Sequence, residues 1–180
     1  MAQSKTLIEE LPKIIERGKK EAQKILDNLS KKLSFNIDKT NDALSNAAEI
    51  TGIKGRWQKL QSNPAVYCDI AHNEEGLKHV IKQLESKTYK KLRIILSMVD
   101  DKDIDKILPL FPDDAVYYFT QARIPRALDV KILSEKAKNH NLKGSNFKSV
   151  KAALDKAKDE SEIEDLIFVG GSTFTVAEVV

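Results

Sequence analysis

The chain has 180 residues, of which 41% are hydrophobic and 32% are charged, and these proportions suit one folded domain with an appendage. The net charge of +3 is small and the two signs are interspersed, which argues against a dedicated nucleic-acid surface. One cysteine cannot form an internal disulfide, which fits a reducing cytoplasm. The start of the chain is polar and charged, so we expect no signal peptide. No apolar stretch approaches the ~18 residues that span a membrane, so we expect no membrane contact.

Residues 1–34 contain no aromatic side chain and are rich in lysine, glutamate, leucine and isoleucine. Small or apolar residues recur there at helical spacing: Leu11, Ile14, Gly18, Ala22, Ile25, Leu29 and Leu33. This pattern predicts a long amphipathic helix that begins near Pro12, with Thr6 and Glu9 as a capping box. We expect its apolar stripe to pack on the domain, and the alternative is a seam for a partner or for self-association through residues 11–33.

A second helix is predicted over residues 38–51, with Asp38 as its N-cap and Gly52 as its C-terminal cap. From Arg56 onward, strands alternate with helices. The predicted strands cover residues 56–61, 65–69, 92–98, 115–119 and 165–169, with a short sixth near 145–148. The predicted helices cover residues 73–86, 103–110, 128–139 and 148–159. This alternation predicts an α/β fold in which a mainly parallel sheet of about six strands is flanked by helices.

Polar side chains cluster at the first two predicted strands. Arg56 is expected to open the first strand, Asp69 ends the second, and His72 follows three residues later. Ligands of open α/β sheets bind just beyond the carboxyl ends of the strands. A guanidinium can bridge two phosphate oxygens with fixed geometry, and an imidazole can donate to a phosphate or sense its charge. These residues therefore predict a site for a phosphorylated ligand.

Each of these residues also has a structural explanation. Arg56 would form a surface ion pair, Asp69 would accept bonds from nearby backbone amides, and His72 would bond a neighbour at a helix start. Asn73 best fits the N-cap of the following helix, so its first role is structural. Cys68 is expected to be a buried strand thiol.

The other two histidines are weaker candidates. His79 lies two turns after His72 on the same predicted helix, and two histidines without a third ligand do not make a zinc site, so we predict no metal site. His140 is expected to be solvated in a polar loop. The sequence contains neither Gly-x4-Gly-Lys-Ser/Thr nor Gly-x-Gly-x-x-Gly, and it shows no nucleophile–base pair. We therefore assign no catalytic residue.

Five segments, in chain order, resemble the C-terminal domain of the folylpolyglutamate synthase/dihydrofolate synthase family within the Mur ligase superfamily. They are Gly55-Arg56-Trp57-Gln58, Asp69-Ile70-Ala71-His72-Asn73, Asp101-Lys102-Asp103, Pro125-Arg126-Ala127, and Gly171-Ser172-Thr173-Phe174 with Ala177-Glu178-Val179-Val180. The resemblance covers roughly residues 36–180 and leaves out residues 1–34. It implies a Rossmann-like Mur ligase C-terminal domain over residues 54–180, preceded by an N-terminal helical segment over residues 1–53.

The resemblance also implies a chemistry. Ligases of this family use ATP and Mg²⁺ to phosphorylate a folate or pteroate carboxylate, and the amine of glutamate then attacks the acyl phosphate. It implies that Arg56, Asp69 and His72 contact ATP, and that Lys102 helps to hold glutamate. Arg126 follows a predicted strand end, and we expect it to bind a carboxylate of the substrate. The structural alternative for Lys102 is charge balance at a helix start. For Gly170–Thr173 we favour a turn with an N-cap over an anion site.

The phosphate-binding loop of these enzymes belongs to a central ATPase domain that precedes the C-terminal domain. Because this sequence contains no such loop, we expect no activity from the chain alone and no tightly bound cofactor. The expected partners are ATP, glutamate and folate in the complete enzyme, together with that ATPase domain, and no nucleic acid. The alternative function is a non-catalytic binding or assembly module of the same fold, which uses its N-terminal amphipathic helix.

Overall fold

The computed structural model describes residues 18–29, 31, 36–100 and 103–180, which fall into two compact units, Met1–Gly52 and Ile53–Val180. In the first unit, residues 18–29 are helical (α1), α2 spans Ile37–Ser45 and α3 spans Ala47–Thr51.

The caps of the first unit are partly as predicted. Gly52 ends α3 with a φ of 68°, a left-handed conformation that suits glycine, which confirms its predicted role. The prediction of Asp38 as N-cap is wrong. Asn36 caps α2 instead, because its side-chain oxygen accepts the Lys39 N–H at 2.9 Å and Asp38 falls inside the first turn.

The apolar residues of α1 are exposed. Ile25, Leu26 and Leu29 have 56%, 49% and 48% of their surface open to solvent. Within the first unit these positions are not buried, and Gly18 and Ala22 add little apolar area to the same face. Packing of the stripe on the domain stays a prediction. The predicted residues Thr6, Glu9, Leu11, Pro12, Ile14 and Leu33 lie outside the described residues.

The second unit is built on a six-stranded sheet in the order β1-β2-β6-β3-β4-β5. The strands are β1 (Gln58–Ser62), β2 (Ala65–Cys68), β3 (Leu92–Leu96), β4 (Val116–Phe119), β5 (Lys143–Asn146) and β6 (Leu166–Gly170). β1 runs antiparallel to β2 and the other neighbours pair in parallel, which confirms the predicted mainly parallel α/β sheet. Every residue of β3 and β6 is buried, as their nearly continuous apolar sequences require.

Helices cover both faces of this sheet. They are α4 (Glu74–Glu85), α5 (Ile104–Ile107) with a 3-10 turn at Leu108–Leu110, α6 (Val130–Asn139), α7 (Val150–Asp159) and α8 (Thr173–Ala177). Successive strand residues point to opposite faces. Ile94 therefore packs in the core cluster that contains Leu77 of α4, while Ile95 packs in the cluster that contains Ala153 of α7.

Several element boundaries differ from the sequence prediction, and the single helix predicted over residues 38–51 is divided into α2 and α3 at Asn46. β1 begins at Gln58 rather than at residue 56, because the positive φ angles of Gly55 and Trp57 put Arg56 in a turn. Helix α5 changes to a 3-10 turn where Pro109 has no N–H to donate. The short strand expected near residues 145–148 is β5, two residues earlier. None of the helices among the described residues is long and apolar enough to cross a membrane.

Candidate functional site

The turn that contains Arg56 depends on a glycine. Gly55 has a φ of 76°, and a Cβ there would lie 2.8 Å from Ile70 Cγ2 and 2.9 Å from Val176 Cγ1. Its carbonyl accepts the Ile70 N–H at 2.8 Å, and its N–H donates to the Gln58 side chain at 2.7 Å. Only glycine fits this conformation and this contact, so the turn is held against the segment that follows β2.

Asp69 ties the same two segments together through its side chain. Its Oδ2 accepts the Trp57 N–H and its Oδ1 accepts the Ala71 N–H, both at 2.7 Å. The expected structural role, in which the carboxylate accepts nearby amides, is therefore observed. Each oxygen keeps a second lone pair, so a ligand can still bond to this carboxylate.

One ring nitrogen of His72 forms a hydrogen bond within the protein, and the other is available to a ligand. Its Nδ1 lies 3.0 Å from the Ile70 carbonyl oxygen, which can only accept, so Nδ1 carries the proton. The remaining Nε2 accepts a hydrogen bond in the neutral ring and donates one in the protonated ring. Asn73 caps α4 by accepting the Gly76 N–H at 2.8 Å, which confirms its predicted role.

Arg56, Asp69 and His72 line one cavity of about 330 Å³ beside the carboxyl end of β2. Because β1 is antiparallel to β2, the turn before β1 lies where β2 ends, and this brings Arg56 to Asp69. Arg56 is exposed and makes no ion pair within the described ranges, so the surface ion pair that we considered is not found there. The cavity volume falls at the lower end of small-molecule sites.

One face of α4 completes the cavity, with Gly76, His79, Val80 and Gln83. Sequence reasoning set His79 aside as a metal ligand and missed its place beside His72. The spacing shows that Gly76, His79, Val80 and Gln83 share one helix face, but the direction in which that face points depends on the fold. Among the described residues, no group of three metal-ligating side chains occurs.

Of the two residues predicted to bind glutamate, Arg126 lies away from the cavity of Arg56, and Lys102 is not among the described residues. The guanidinium carbon of Arg126 is 4.9 Å from the centre of the Phe174 ring, and its carbonyl accepts the Asp100 N–H at 3.0 Å. Arg126 therefore lies between the segment after β3 and the start of α8, and it does not line the cavity of Arg56. Lys102 lies outside the described residues.

The Gly170–Thr173 segment forms the turn and N-cap that we favoured. Gly171 has a φ of 91°, and a Cβ there would lie 2.6 Å from the Ser97 carbonyl oxygen. The hydroxyl of Ser172 accepts the Phe174 N–H at 3.2 Å at the start of α8. Glycine is thus required by both the backbone angle and the close approach of the segment that follows β3.

Buried hydroxyls lie under this turn. The hydroxyls of Ser97 and Thr175 are 2.7 Å apart and both residues are fully buried. Thr120 Oγ1, at the end of β4, is buried and has no hydrogen-bond partner; Asp165 Oδ1 is the other such side-chain atom in the described part of the chain. The Ser97–Thr175 contact ties the segment after β3 to α8, which follows β6.

Two remaining predictions have clear outcomes. Cys68 is buried, and burial, followed by the charge of Asp69, raises the pKa of its thiol to about 11, so it stays protonated as expected of a structural cysteine.

The prediction that His140 is solvated is wrong. It caps α6, only a quarter of its side chain is exposed, and its Nε2 lies 3.8 Å from Asp105 Oδ1.

The family model described as "Mur ligase, glutamate ligase domain" matches residues 55–173. The chain is similar to a probable bifunctional folylpolyglutamate synthase/dihydropteroate synthase of Haloferax volcanii, with 30% identity over 69% of this chain and 15% of that protein. It is also similar to the dihydrofolate synthase/folylpolyglutamate synthase of Escherichia coli, with 27% identity over 79% of this chain and 33% of that protein.

Solved structures give the same picture. The E. coli FolC structure in complex with DHPP and ADP has a TM-score of 0.64 and 28% identity, over 71% of this chain and 30% of that one. A bifunctional folylpolyglutamate synthase/dihydrofolate synthase with Mn, AMPPNP and L-glutamate bound has a TM-score of 0.63 and 26% identity, over 71% and 30%. The chain spans about a third or less of the length of each of these relatives.

Proposed function

The chain belongs to the Mur ligase family, with the fold of its glutamate ligase domain, and on this basis we propose that it acts as the C-terminal domain of an ATP-dependent folate amide ligase. In the complete enzyme, glutamate would be joined to a folate or pteroate carboxylate through an acyl phosphate. The chain would supply part of the ATP side and part of the glutamate side of the cleft. The relatives solved with ADP, with AMPPNP and Mn, and with L-glutamate support this proposal.

The observation that carries the proposal is the shared cavity of Arg56, Asp69 and His72. The exposed guanidinium of Arg56 would bind two phosphate oxygens of ATP. Asp69 would act first as a positioning residue, because both its oxygens hold the backbone on either side of the cavity. Its remaining lone pairs would accept a ribose hydroxyl.

His72 would adapt to the ligand through Nε2, because Nδ1 is engaged by the Ile70 carbonyl. In the protonated ring this nitrogen would donate to a phosphate oxygen, and in the neutral ring it would accept from a hydroxyl. Mg²⁺ would accompany ATP in the complete enzyme and neutralise part of the phosphate charge, and we propose no metal ligand in this chain.

Arg126 would face the amino-acid substrate rather than ATP. Its guanidinium lies over the Phe174 ring, which would orient the planar group for a carboxylate of glutamate. We propose the same role for Lys102, as the resemblance of the Asp101-Lys102-Asp103 segment implies.

Calorimetric titration of the chain with ATP and Mg²⁺ tests the proposal. Arg56→Ala should weaken binding roughly ten- to hundredfold, the loss expected when a charge-assisted hydrogen bond is removed. The matched control is Lys54→Ala, which removes an exposed cation that does not line the cavity. Equal affinities for the wild type and the Arg56 variant, or an equal loss in both variants, would contradict the nucleotide assignment.

A second candidate function follows from the exposed residues of α1. We propose that Ile25, Leu26 and Leu29 form a seam for self-association, so that the chain also serves as an assembly module. This role is compatible with the first. Measuring the mass in solution distinguishes it from nucleotide binding, because a change at α1 should leave ATP affinity unchanged.

A further inference from the structure

A second cavity, of about 620 Å³, lies between α6 and β5, at the other end of the strand order from the cavity of Arg56. Its floor is formed by the buried residues Phe119, Ser134 and Leu142. Lys138, at the end of α6, and Lys143, at the start of β5, also line it. The two cavities share no residue, so a ligand of this second cavity is independent of the proposed nucleotide site.

The wall formed by β5 is a free strand edge. β5 is the last strand in the sheet order, and in the part of the chain that the structure describes it pairs only with β4. All four of its residues are exposed. An edge strand presents N–H and C=O groups that can pair with another extended chain.

The groove beside this edge is fixed in shape. Asn146 Nδ2, on β5, donates to Ser134 Oγ, on α6, at 3.0 Å, and Ser134 Oγ donates to the Lys131 carbonyl at 3.1 Å. A Cβ on Gly144 would lie 2.0 Å from the Tyr117 carbonyl oxygen, so β5 is seated closely on β4. A helix and a strand edge held at a fixed separation form the type of groove that binds an extended peptide by strand addition.

The charged residues that line the groove are basic. The segment that forms it, residues 130–146, contains four lysines against one acidic residue, a net charge of +3. One of these lysines, Lys136, pairs with Asp105. Lys138 and Lys143 form no ion pair within the described ranges, and no carboxylate is among the described residues that line the cavity.

We propose that β5 binds an acidic peptide segment in extended conformation, which adds to the sheet as a seventh strand and places carboxylates beside Lys138 and Lys143. The peptide backbone satisfies the free edge, and its acidic side chains match the charge. A compact phosphate ligand fits less well. The described lining residues include no arginine, the side chain that binds phosphate oxygens in a bidentate geometry.

A single-stranded nucleic acid is also less suited to this surface. Sequence-tolerant binding of such strands uses exposed aromatic rings on which the bases stack. Phe119, the aromatic residue of the cavity, is 1% exposed and cannot offer its ring to a base. Binding of an oligonucleotide is therefore one of the outcomes that the experiment must separate.

The probe is a fluorescein-labelled hexapeptide of alternating valine and glutamate, titrated with the full chain by fluorescence anisotropy. We expect saturable binding that is weakened roughly tenfold in the double variant Lys138→Glu/Lys143→Glu. Lys131→Glu/Lys151→Glu is the matched control, since it changes the net charge equally at exposed positions outside the cavity and should stay within about twofold. Lys138→Gln/Lys143→Gln gives an intermediate loss and guards against an effect of the new carboxylates on folding.

Hydrogen exchange provides the second readout. Bound peptide should slow exchange of the outward-facing backbone amides of β5, a result that a merely electrostatic attraction would not produce. The proposal is overturned if both double variants lose equal affinity, or if the β5 amides are not protected. It is also overturned if a valine–lysine hexapeptide, a γ-linked glutamate oligomer or a single-stranded oligonucleotide binds as tightly as the acidic peptide.

Discussion

The carboxylate of Asp69 accepts the backbone N–H of Trp57 at 2.7 Å, across twelve positions of the chain. Trp57 has a φ of 41°, a left-handed conformation that costs a non-glycine residue about 1–3 kcal/mol. The bond to Asp69 and the stacking of Trp57 on Tyr67, with ring centres 5.1 Å apart, offset this cost. The contacts of Trp57 with Asp69 and Tyr67, and not contacts of Arg56, thus hold the turn that presents Arg56.

Asp69→Asn should weaken both ATP binding and stability. An amide side chain has one acceptor oxygen and one NH₂ group, so one of the N–H groups of Trp57 and Ala71 would face a donor. We expect a loss of about 1–3 kcal/mol in the free energy of unfolding, measured by urea denaturation, and a parallel loss of ATP affinity. Asp155→Asn, at an exposed position on α7, is the control and should change neither quantity. Wild-type stability in the Asp69→Asn variant would show that the carboxylate does not hold the turn.

The 180-residue chain by itself should show no ATP-dependent ligase turnover. Phosphoryl transfer requires a phosphate-cradling loop, its lysine and a bound Mg²⁺ to stabilise the negative charge of the transition state, and this sequence contains no such loop. Release of ADP with dihydropteroate or tetrahydrofolate plus glutamate should stay at background. Turnover that survives repurification and is lost in Arg56→Ala would refute this prediction.

Much of the fold was predictable because its signals are local. Asn73 was identified as a helix cap from its place before an amphipathic run, and the buried strands β3 and β6 from their apolar sequences. Trp57 could not be identified, because a left-handed aromatic residue has no local signal and depends on Asp69, which is distant in sequence. Asn36 and Asp38 are both good cap residues, so the choice between them could not be made from residue type.

The residues of the first cavity were predictable in part. Arg56, Asp69 and His72 were grouped from their positions at strand ends and line one cavity, whereas their contact with ATP stays a prediction. His79 was missed because its role depends on which face of α4 turns toward the turn before β1, a tertiary fact. Arg93 was missed for a similar reason, since its partner Asp165 is 72 positions away and nothing local links them.

Arg93→Met should destabilise the domain strongly. Arg93 is buried and donates through Nε to Asp165 at 3.0 Å and through Nη1 to the Tyr118 hydroxyl at 2.7 Å. Removing it leaves the buried carboxylate of Asp165 uncompensated, which costs about 3–5 kcal/mol. The measurement is the free energy of unfolding in urea.

The Lys90–Glu162 ion pair provides a matched control, because it links the same two parts of the chain at the surface. Lys90 pairs with Glu162 across the same 72 positions, but both side chains are more than half exposed. Lys90→Met should therefore cost less than about 1 kcal/mol. Similar losses in the Arg93 and Lys90 variants would contradict the importance of burial for the Arg93–Asp165 pair.

Tyr118→Phe should reduce the loss of stability at alkaline pH. Burial of Tyr118, followed by its hydrogen bond to Glu160, raises the pKa of its phenol to about 12. Because the pKa is higher in the folded state than in the unfolded state, the folded form keeps this proton longer. The corresponding stabilisation is complete below pH ~10 and is lost as the pH rises toward ~12.

Urea denaturation at pH ~9 and pH ~11 measures this effect. The wild type should lose more stability between the two values than the Tyr118→Phe variant, and the difference isolates Tyr118 from the other titrating groups. An equal loss in both proteins would show that Tyr118 titrates alike in the folded and unfolded states.

The double substitution Ile25→Asp/Leu29→Asp should abolish self-association, so that the protein sediments with the mass of a monomer. Both side chains lie about half exposed on α1, with Leu26 beside them, and burying a leucine or isoleucine contributes roughly 1.5–3 kcal/mol. Two copies that join these stripes would remove that surface from water, whereas a charged residue in the seam would have to be buried unpaired. Sedimentation velocity over a concentration series should show association in the wild type and a monomer in the variant. Ile163→Asp, at an apolar position that is 69% exposed in the second unit, should associate like the wild type. A wild type that stays monomeric, or a double variant that associates as strongly as the wild type, would contradict the self-association role of α1.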